Sequence, residues 1–171
     1  MPDLKTVQVY DIRQETARAF ADELGRKYGL NIVVAKDSEQ AVRGCEVVVS
    51  GGPICTPPQP TIEPGWLVEG VVGVSIDYDS YWTPAAMQTM DLIVTDDSGQ
   101  IEHLKEFGLF KGLPRLDGEL SDIVVGRLGG RKSAKDRILC FNLGIALEDI
   151  VTAVEIYKRA TAKGVGRMLP R

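Results

Sequence analysis

Apolar residues along this chain fall into short β-branched runs separated by stretches of helical spacing. Thr6–Asp11 (TVQVYD) predicts a strand that ends on an acid. Ala17, Phe20, Ala21, Leu24 and Tyr28 then recur at helical spacing, with Gly25 and Gly29 closing the segment. Asn31–Ala35 predicts a second strand, Ser38 an N-cap for a short helix over Glu39–Arg43, and Glu46–Ser50 a third strand. Each apolar run is nearly continuous rather than alternating, as expected of strands buried on both faces of a parallel sheet.

Five of the nine prolines lie between Gly51 and Gly65, so no helix crosses that loop. Its length points to a function or a contact rather than a mere connection. Val71–Ile76 predicts the next strand, and Thr83-Pro84 an N-cap with proline at the first helical position. A strand over Leu92–Thr95, a helix over Ser98–Phe107 and a less regular stretch around Gly118-Glu119-Leu120 and Gly126–Gly130 follow. Arg137–Phe141 predicts the last strand. A helix from about Ile145 to Lys163 places Ile150, Ala153, Val154 and Tyr157 on one face. This alternation predicts an α/β domain with a mainly parallel sheet and flanking helices.

Composition narrows the function classes. The chain has 171 residues, 44% hydrophobic and 26% charged, with a net charge of −4. That length holds one domain. The mixed charge argues against a nucleic-acid partner, and the basic residues Arg127, Arg131, Lys132, Lys135 and Arg137, with Lys163, Arg167 and Arg171, read as solvated surface. No apolar run reaches membrane-spanning length, so no membrane partner is expected. Three cysteines (Cys45, Cys55, Cys140) and the single His103 lack metal-ligand spacing, so no metal site is expected. Cys45 and Cys140 read as buried thiols in a reducing compartment, and the start of the sequence has no apolar leader. A cytoplasmic location is therefore expected.

In open α/β sheets, ligands bind beyond the carboxyl ends of the strands. Asp11, Ser50-Gly51-Gly52, Asp77, Asp96-Asp97 and Asn142 stand there. An acid ending a strand before a helix can accept both hydroxyls of an adenosine ribose and repel a 2′-phosphate, so Asp11 would favour NAD over NADP. It can equally help cap the next helix. Arg13 can stack on adenine or meet a phosphate, or simply be exposed. Gly51-Gly52 lets a ligand approach the backbone, or makes a flexible turn before Pro53. Asp77 and Asp79 lie beside Tyr78, Tyr81 and Trp82, where the environment can raise a carboxyl pKa towards acid–base use; Asp79 can instead cap the coming helix. No G-x-G-x-x-G, Walker lysine motif or nucleophile elbow occurs, and the acids lack the pattern of a phosphoacceptor domain.

In order and spacing, residues 7–50, the proline-rich loop, GVSIDYDSYW (73–82), DLIVTDD (91–97), GELSDIVVGRLGGR (118–131) and FNLGIALEDIVTAVEIYKRA (141–160) resemble the ornithine cyclodeaminase/mu-crystallin family. The resemblance runs over nearly the whole chain. It implies a Rossmann-like NAD(P)-binding fold and hydride transfer between a nicotinamide and the Cα of an amino or imino acid. One such reaction is conversion of ornithine to proline and ammonia. It assigns cofactor contacts to Asp11, Arg13, Ser50, Gly51, Gly52, Ser75, Asn142, Leu143 and Gly144, and amine or water chemistry to Asp77. Glu148 and Asp149 match the acids that open the long helix. Where the family often has a Gly-Lys turn after the acid, this chain has Tyr-Asp-Ser-Tyr-Trp, so substrate choice does not carry over.

By the same resemblance, the chain begins at the family's second Rossmann strand. The first strand, the glycine-rich pyrophosphate turn and the substrate domain have no counterpart in it. Residues 1–145 then form a partial Rossmann domain, and residues 146–171 a helix and tail that pack towards a substrate domain outside the chain. Thr6–Asp11 and Glu46–Ser50 must either pair directly or keep open edges. Alone, the chain is expected to bind NAD poorly and to lack turnover, acting with further copies of itself or with a companion chain. The alternative is a non-catalytic interaction or small-molecule-binding module.

Overall fold

The computed structural model describes residues 4–167 and residue 169. Arg171, grouped above with the terminal basic residues, lies outside the described residues. In chain order run β1 (Thr6–Val9), α1 (Gln14–Tyr28), β2 (Asn31–Val34), α2 (Ser38–Val42), β3 (Val47–Ser50) and a 3-10 turn at Pro64–Trp66. Then come β4 (Val72–Ser75), α3 (Pro84–Gln88), β5 (Leu92–Thr95), α4 (Ser98–Glu106), β6 (Gly118–Glu119), α5 (Leu120–Val124), β7 (Ile138–Phe141) and α6 (Ala146–Ala162). Every strand pair is parallel, which requires the helical crossovers the sequence supplies. The α/β, Rossmann-like architecture expected from the sequence is the one observed.

The strands form two sheets, β1-β2 and β3-β4-β7-β5-β6. Among the described residues β1 and β3 therefore do not pair, and each keeps one open edge. Burial along β3 alternates, with Val48 and Ser50 inside and Val49 62% exposed. The continuous Val-Val-Val run had predicted burial on both faces; here only the face packed on the core is covered.

The core lies over the larger sheet. Trp82, Met87, Ile93, Phe110, Leu139 and Phe141 are all fully buried, and Phe110 meets Phe141 edge-on with ring centroids 5.2 Å apart. Thr83 caps α3 as its sequence predicts, its hydroxyl accepting from the Ala86 N–H at 3.0 Å. The α2 cap is Asp37 rather than Ser38: its carboxylate, one residue earlier, accepts from the Gln40 N–H at 2.8 Å. The basic residues divide. Arg137 holds the Leu67 and Val68 carbonyls and Arg131 those of Gly70 and Asp136, whereas Arg127 makes a surface pair with Asp122.

Trp82 lies directly against β4. A Cβ at Gly73 would fall 2.6 Å from Trp82 Cη2 and 2.9 Å from Leu139 Cδ1, closer than carbon atoms approach. Gly73→Ala should therefore lose about 1–3 kcal/mol by overpacking, measured as a lower urea midpoint with an unchanged slope.

Candidate functional site

Parallel register lines up the carboxyl ends of four strands. Ser50 lies opposite Ser75, Ser75 opposite Phe141, and Thr95 opposite Phe141. The residues that follow continue the row, because Ile76 N–H donates to Ser50 O, Asn142 N–H to Ser75 O and Asp96 N–H to Phe141 O. Ser50, Gly51, Gly52, Ser75, Asp77, Asn142, Leu143 and Gly144 thus come together, as the sequence had grouped them.

Asp77 is fully buried. Ser50 Oγ and Ser75 Oγ lie 2.8 Å and 2.7 Å from its Oδ1, and the Gly52 N–H donates to its Oδ2 at 2.9 Å. Ser50 Oγ in turn accepts from Trp82 Nε1 at 3.1 Å. Both carboxylate oxygens are committed, so Asp77 acts as a clamp on the ends of β3 and β4.

Two residues on, Asp79 differs. It is 4% exposed; its Oδ2 accepts from the Phe110 N–H at 2.7 Å, and its Oδ1 has no partner among the described residues. Burial pushes its pKa up, against the lowering effect of the Phe110 N–H and its own N–H. It does not cap α3, a role taken by Thr83. The residues that present it are strained: Tyr78 has φ 62° and Phe110 φ 53°, the left-handed region that costs a non-glycine residue roughly 1–3 kcal/mol. Such strain gathers at functional sites. The sequence had offered Asp79 only as one of two acids near aromatic residues. Phe110, which aims it, lies 31 residues away, and nothing in the local sequence announces it.

Tyr81 closes one side. Its hydroxyl donates to Pro53 O at 3.0 Å, and its ring covers Gly52 so closely that a Cβ there would sit 2.5 Å from the phenol oxygen. A side chain at Gly52 would therefore have to displace the Tyr81 ring. Burial, followed by the neighbouring Cys55 thiol, pushes the Tyr81 phenol up to about 12, so it keeps its proton and stays a donor. The proline-rich loop lies along the same segment: Cys55 N–H donates to Ser80 Oγ, Gln59 N–H to Ser80 O, and Thr61 and Ile62 N–H to Tyr81 O. On the far side, Gly144 has φ 86° and donates to Asp96 Oδ2 at 2.7 Å, while Gln100 Nε2 donates to its carbonyl.

Asp11 and Arg13 stand apart, on the two-stranded sheet. Asp11 Oδ1 accepts from the Arg13 N–H at 2.7 Å in the turn before α1, and α1 begins with no side-chain cap. Asp11 Oδ2 makes no hydrogen bond among the described residues, and Arg13 is largely exposed. His103 is an exposed surface residue facing Glu106 and Phe107. Among the described residues no cluster of His, Cys, Asp or Glu could hold a metal, and no helix is long and apolar enough to cross a membrane. A cavity of about 410 Å³ beside Asp91, Asp117 and Asp136 opens at the amino ends of β5 and β7, opposite the strand ends described above.

Comparison with known proteins agrees with this fold. Residues 1–164 match the sequence profile of the Ornithine cyclodeaminase/mu-crystallin family. The chain is 27% identical, over 98% of its length and 53% of the relative's, to a Delta(1)-pyrroline-2-carboxylate reductase of Bacillus cereus. It is 29% identical, over 97% of its length and 50% of the relative's, to an N-((2S)-2-amino-2-carboxyethyl)-L-glutamate dehydrogenase of Staphylococcus aureus. Its structure superposes with a TM-score of 0.79 and 26% identity on the Thermococcus litoralis Delta(1)-pyrroline-2-carboxylate reductase in complex with NADH and L-proline, covering 96% of this chain and 53% of that one. The chain spans about half the length of the curated relatives it matches.

The two acids should separate in a stability measurement. Folded Asp79 keeps its proton above the ordinary carboxyl value of 3.8, where the unfolded chain releases it. Between 3.8 and its raised folded pKa, the unfolded state binds fewer protons, so Asp79 makes the fold less stable as pH rises through that window. Asp79→Asn should remove this slope, read as a smaller loss of the urea midpoint from acid to neutral pH. Asp77→Asn places an amide among donors and should cost about 1–3 kcal/mol at neutral pH.

Proposed function

The chain belongs to the ornithine cyclodeaminase/mu-crystallin family, and from that premise we propose that it is the nicotinamide-binding portion of an enzyme acting on an amino or imino acid. The observation that carries this reading is the row of strand ends beside a buried acid with a raised pKa and an uncommitted oxygen. The NADH bound in the Thermococcus litoralis reductase structure supports a nicotinamide as the ligand of that row.

The residues present fit such a group at both ends of the row. Asp11 has a free carboxylate oxygen at the end of β1, suited to ribose hydroxyls and unfavourable to a 2′-phosphate, which favours NAD over NADP. Arg13, exposed and paired at 4.0 Å with Asp11 Oδ1, lies where it could meet adenine or phosphate. Ser50, Gly51, Gly52 and Ser75 present backbone and small side chains at the ends of β3 and β4, and Asn142, Leu143 and Gly144 border them from β7. When bound, the nicotinamide supplies hydride-accepting and hydride-donating chemistry.

Asp77 was the sequence's candidate for proton transfer. With the Ser50 hydroxyl and the Gly52 N–H donating to its two oxygens and Ser75 Oγ 2.7 Å away, it suits the positioning of the strand ends. Of the two acids Asp79 is the better placed to hold or pass a proton at a substrate nitrogen or a water, because its Oδ1 is uncommitted and burial favours its protonated form. A non-catalytic small-molecule binder would have no use for that acid, so the enzyme reading stands first. The exposed apolar residues of α6, among them Leu147, Ile150 and Val154, support its packing against a further domain or subunit. The three cysteines are free thiols, which supports a reducing compartment such as the cytoplasm.

Titration of nicotinamide fluorescence tests the cofactor assignment. Binding by the 171-residue chain should be weak, with NADH preferred over NADPH by about tenfold or more, and Asp11→Ser should erase the preference. Equal affinities in the unaltered chain would remove Asp11 from the site. The chain alone should not turn over ornithine or Delta(1)-pyrroline-2-carboxylate; steady turnover would overturn its reading as a portion of an enzyme. In the enzyme that contains it, Asp79→Asn should lower kcat by about 100-fold or more at unchanged NADH affinity. Loss of that size with Asp77→Asn alone would return the proton-transfer role to Asp77.

A further inference from the structure

Along the row of strand ends, most side-chain protons are already spent. Ser50 and Ser75 have one hydroxyl proton each, and both are used within the row, on Asp77, on each other or on the Tyr78 carbonyl. Gln100 Nε2 is used on the Gly144 carbonyl and on Asp97. Asn142, half-buried one residue beyond β7, is different. Its backbone N–H continues the ladder to Ser75 O at 2.8 Å, but its side-chain Nδ2 makes no hydrogen bond among the described residues. Two amide protons therefore remain in the row.

The group that sets the direction of this amide lies two residues back. Cys140 and Asn142 share one face of the strand, opposite the core residues Leu139 and Phe141. Cys140 pairs with Val74 on one side and Val94 on the other, and is 8% exposed. Its Sγ lies 3.4 Å from Asn142 Oδ1. A thiol donates there only while it keeps its proton. Burial, followed by the nearby Asp96 charge, pushes the Cys140 thiol up to about 11 against the lowering effect of Asn142, so the S–H is present at neutral pH. Turned the other way, the amide would set its N–H groups against a sulfur that accepts only weakly.

Asp96 also limits what the two protons can meet. Its carboxylate holds the Gly144 N–H at 2.7 Å and is near enough to act on Cys140. A phosphate or carboxylate oxygen at Nδ2 would be repelled by that charge, whereas a neutral carbonyl oxygen would not. Resting on the cofactor reading above, we propose that Cys140 is a positioning residue: its thiol holds the Asn142 amide by the oxygen, so that Nδ2 donates to the carboxamide oxygen of the nicotinamide. Cys140 thus acts at the ring end of the cofactor, through Asn142, and touches no ligand itself.

Two measurements test this, one of them without any nicotinamide. With Cys45 and Cys55 changed to Ser, Cys140 is the single thiol of the chain, and its S–H infrared stretch should lie below that of a thiol in water. Asn142→Leu should move the stretch upward; a stretch that stays in place would overturn the proposal. Calorimetric titration of the 171-residue chain then compares three ligands: NADH, its reduced 3-acetylpyridine analogue, which keeps the carbonyl and lacks the amide nitrogen, and ADP-ribose, which lacks the ring. The analogue should bind within about threefold of NADH. Cys140→Ala should lower NADH affinity by about three- to tenfold and leave ADP-ribose unchanged, and Cys140→Ser, which restores a donor, should return NADH affinity to within about twofold. Equal losses for NADH and ADP-ribose with Cys140→Ala, or no loss for either, would overturn the proposal and leave the cofactor reading standing. No NADH binding to the unaltered chain, with the S–H signature present, would overturn the cofactor reading and this inference with it.

Discussion

A carboxylate with no access to water must be surrounded by donors, and Asp77 imposes that condition on the centre of this molecule. The polar groups around it come from three places: Ser50 at the end of β3, Ser75 at the end of β4, whose hydroxyl also meets the Tyr78 carbonyl, and the backbone of Gly52 in the loop beyond β3. The cross-strand register that sets Ser50 against Ser75 is therefore also what solvates the charge. Trp82 is tied to the same serine through its indole N–H, so the largest core side chain and the buried charge fix one another. Sliding β3 past β4 by one residue would strand the carboxylate and reverse the buried face of β3 together.

With Asp77 consumed in this way, Asp79 can have a different character only two residues later. The left-handed Tyr78 turns the chain between them, and Phe110, also left-handed, brings its N–H to one oxygen of Asp79 and leaves the other bare. The pair shows how one short segment sets two carboxyl groups to opposite tasks by environment alone. One is held among donors, while burial favours the protonated form of the other. The strain at Tyr78 and Phe110 is carried by their packing, since Phe110 is buried against Phe141 and its ring lies 5.9 Å from that of Tyr78.

Much of this arrangement can be read from the residues. The β-branched runs, the Thr83-Pro84 cap, the helical spacing before Gly29 and the grouping of small residues at strand ends all depend on local chemistry, and the structure has them where the sequence places them. What escapes is set by distant partners. Asp37 displaces Ser38 as the α2 cap because the longer side chain one residue back reaches the Gln40 N–H. The alternating burial of β3 is invisible in a run of three valines, because hydrophobicity records what a strand can bury and not which face meets a neighbour. The choice between Asp77 and Asp79 rests on Phe110 and on a serine pair joined by strand register, neither of which leaves a mark in the sequence around the acids.

The division into two sheets has a consequence for the candidate site itself. Asp11 stands on the two-stranded sheet, and the serine, glycine and aspartate groups stand on the five-stranded one. On the proposed reading a dinucleotide contacts both sides of this row, and its affinity then depends on how accurately the two sheets are held relative to each other. No strand ladder joins β1 to β3; the link is made by the α2 crossover and the reach of the Gln8 side chain. A glutamine amide and a five-residue helix restrain that geometry far less than a ladder of backbone hydrogen bonds would.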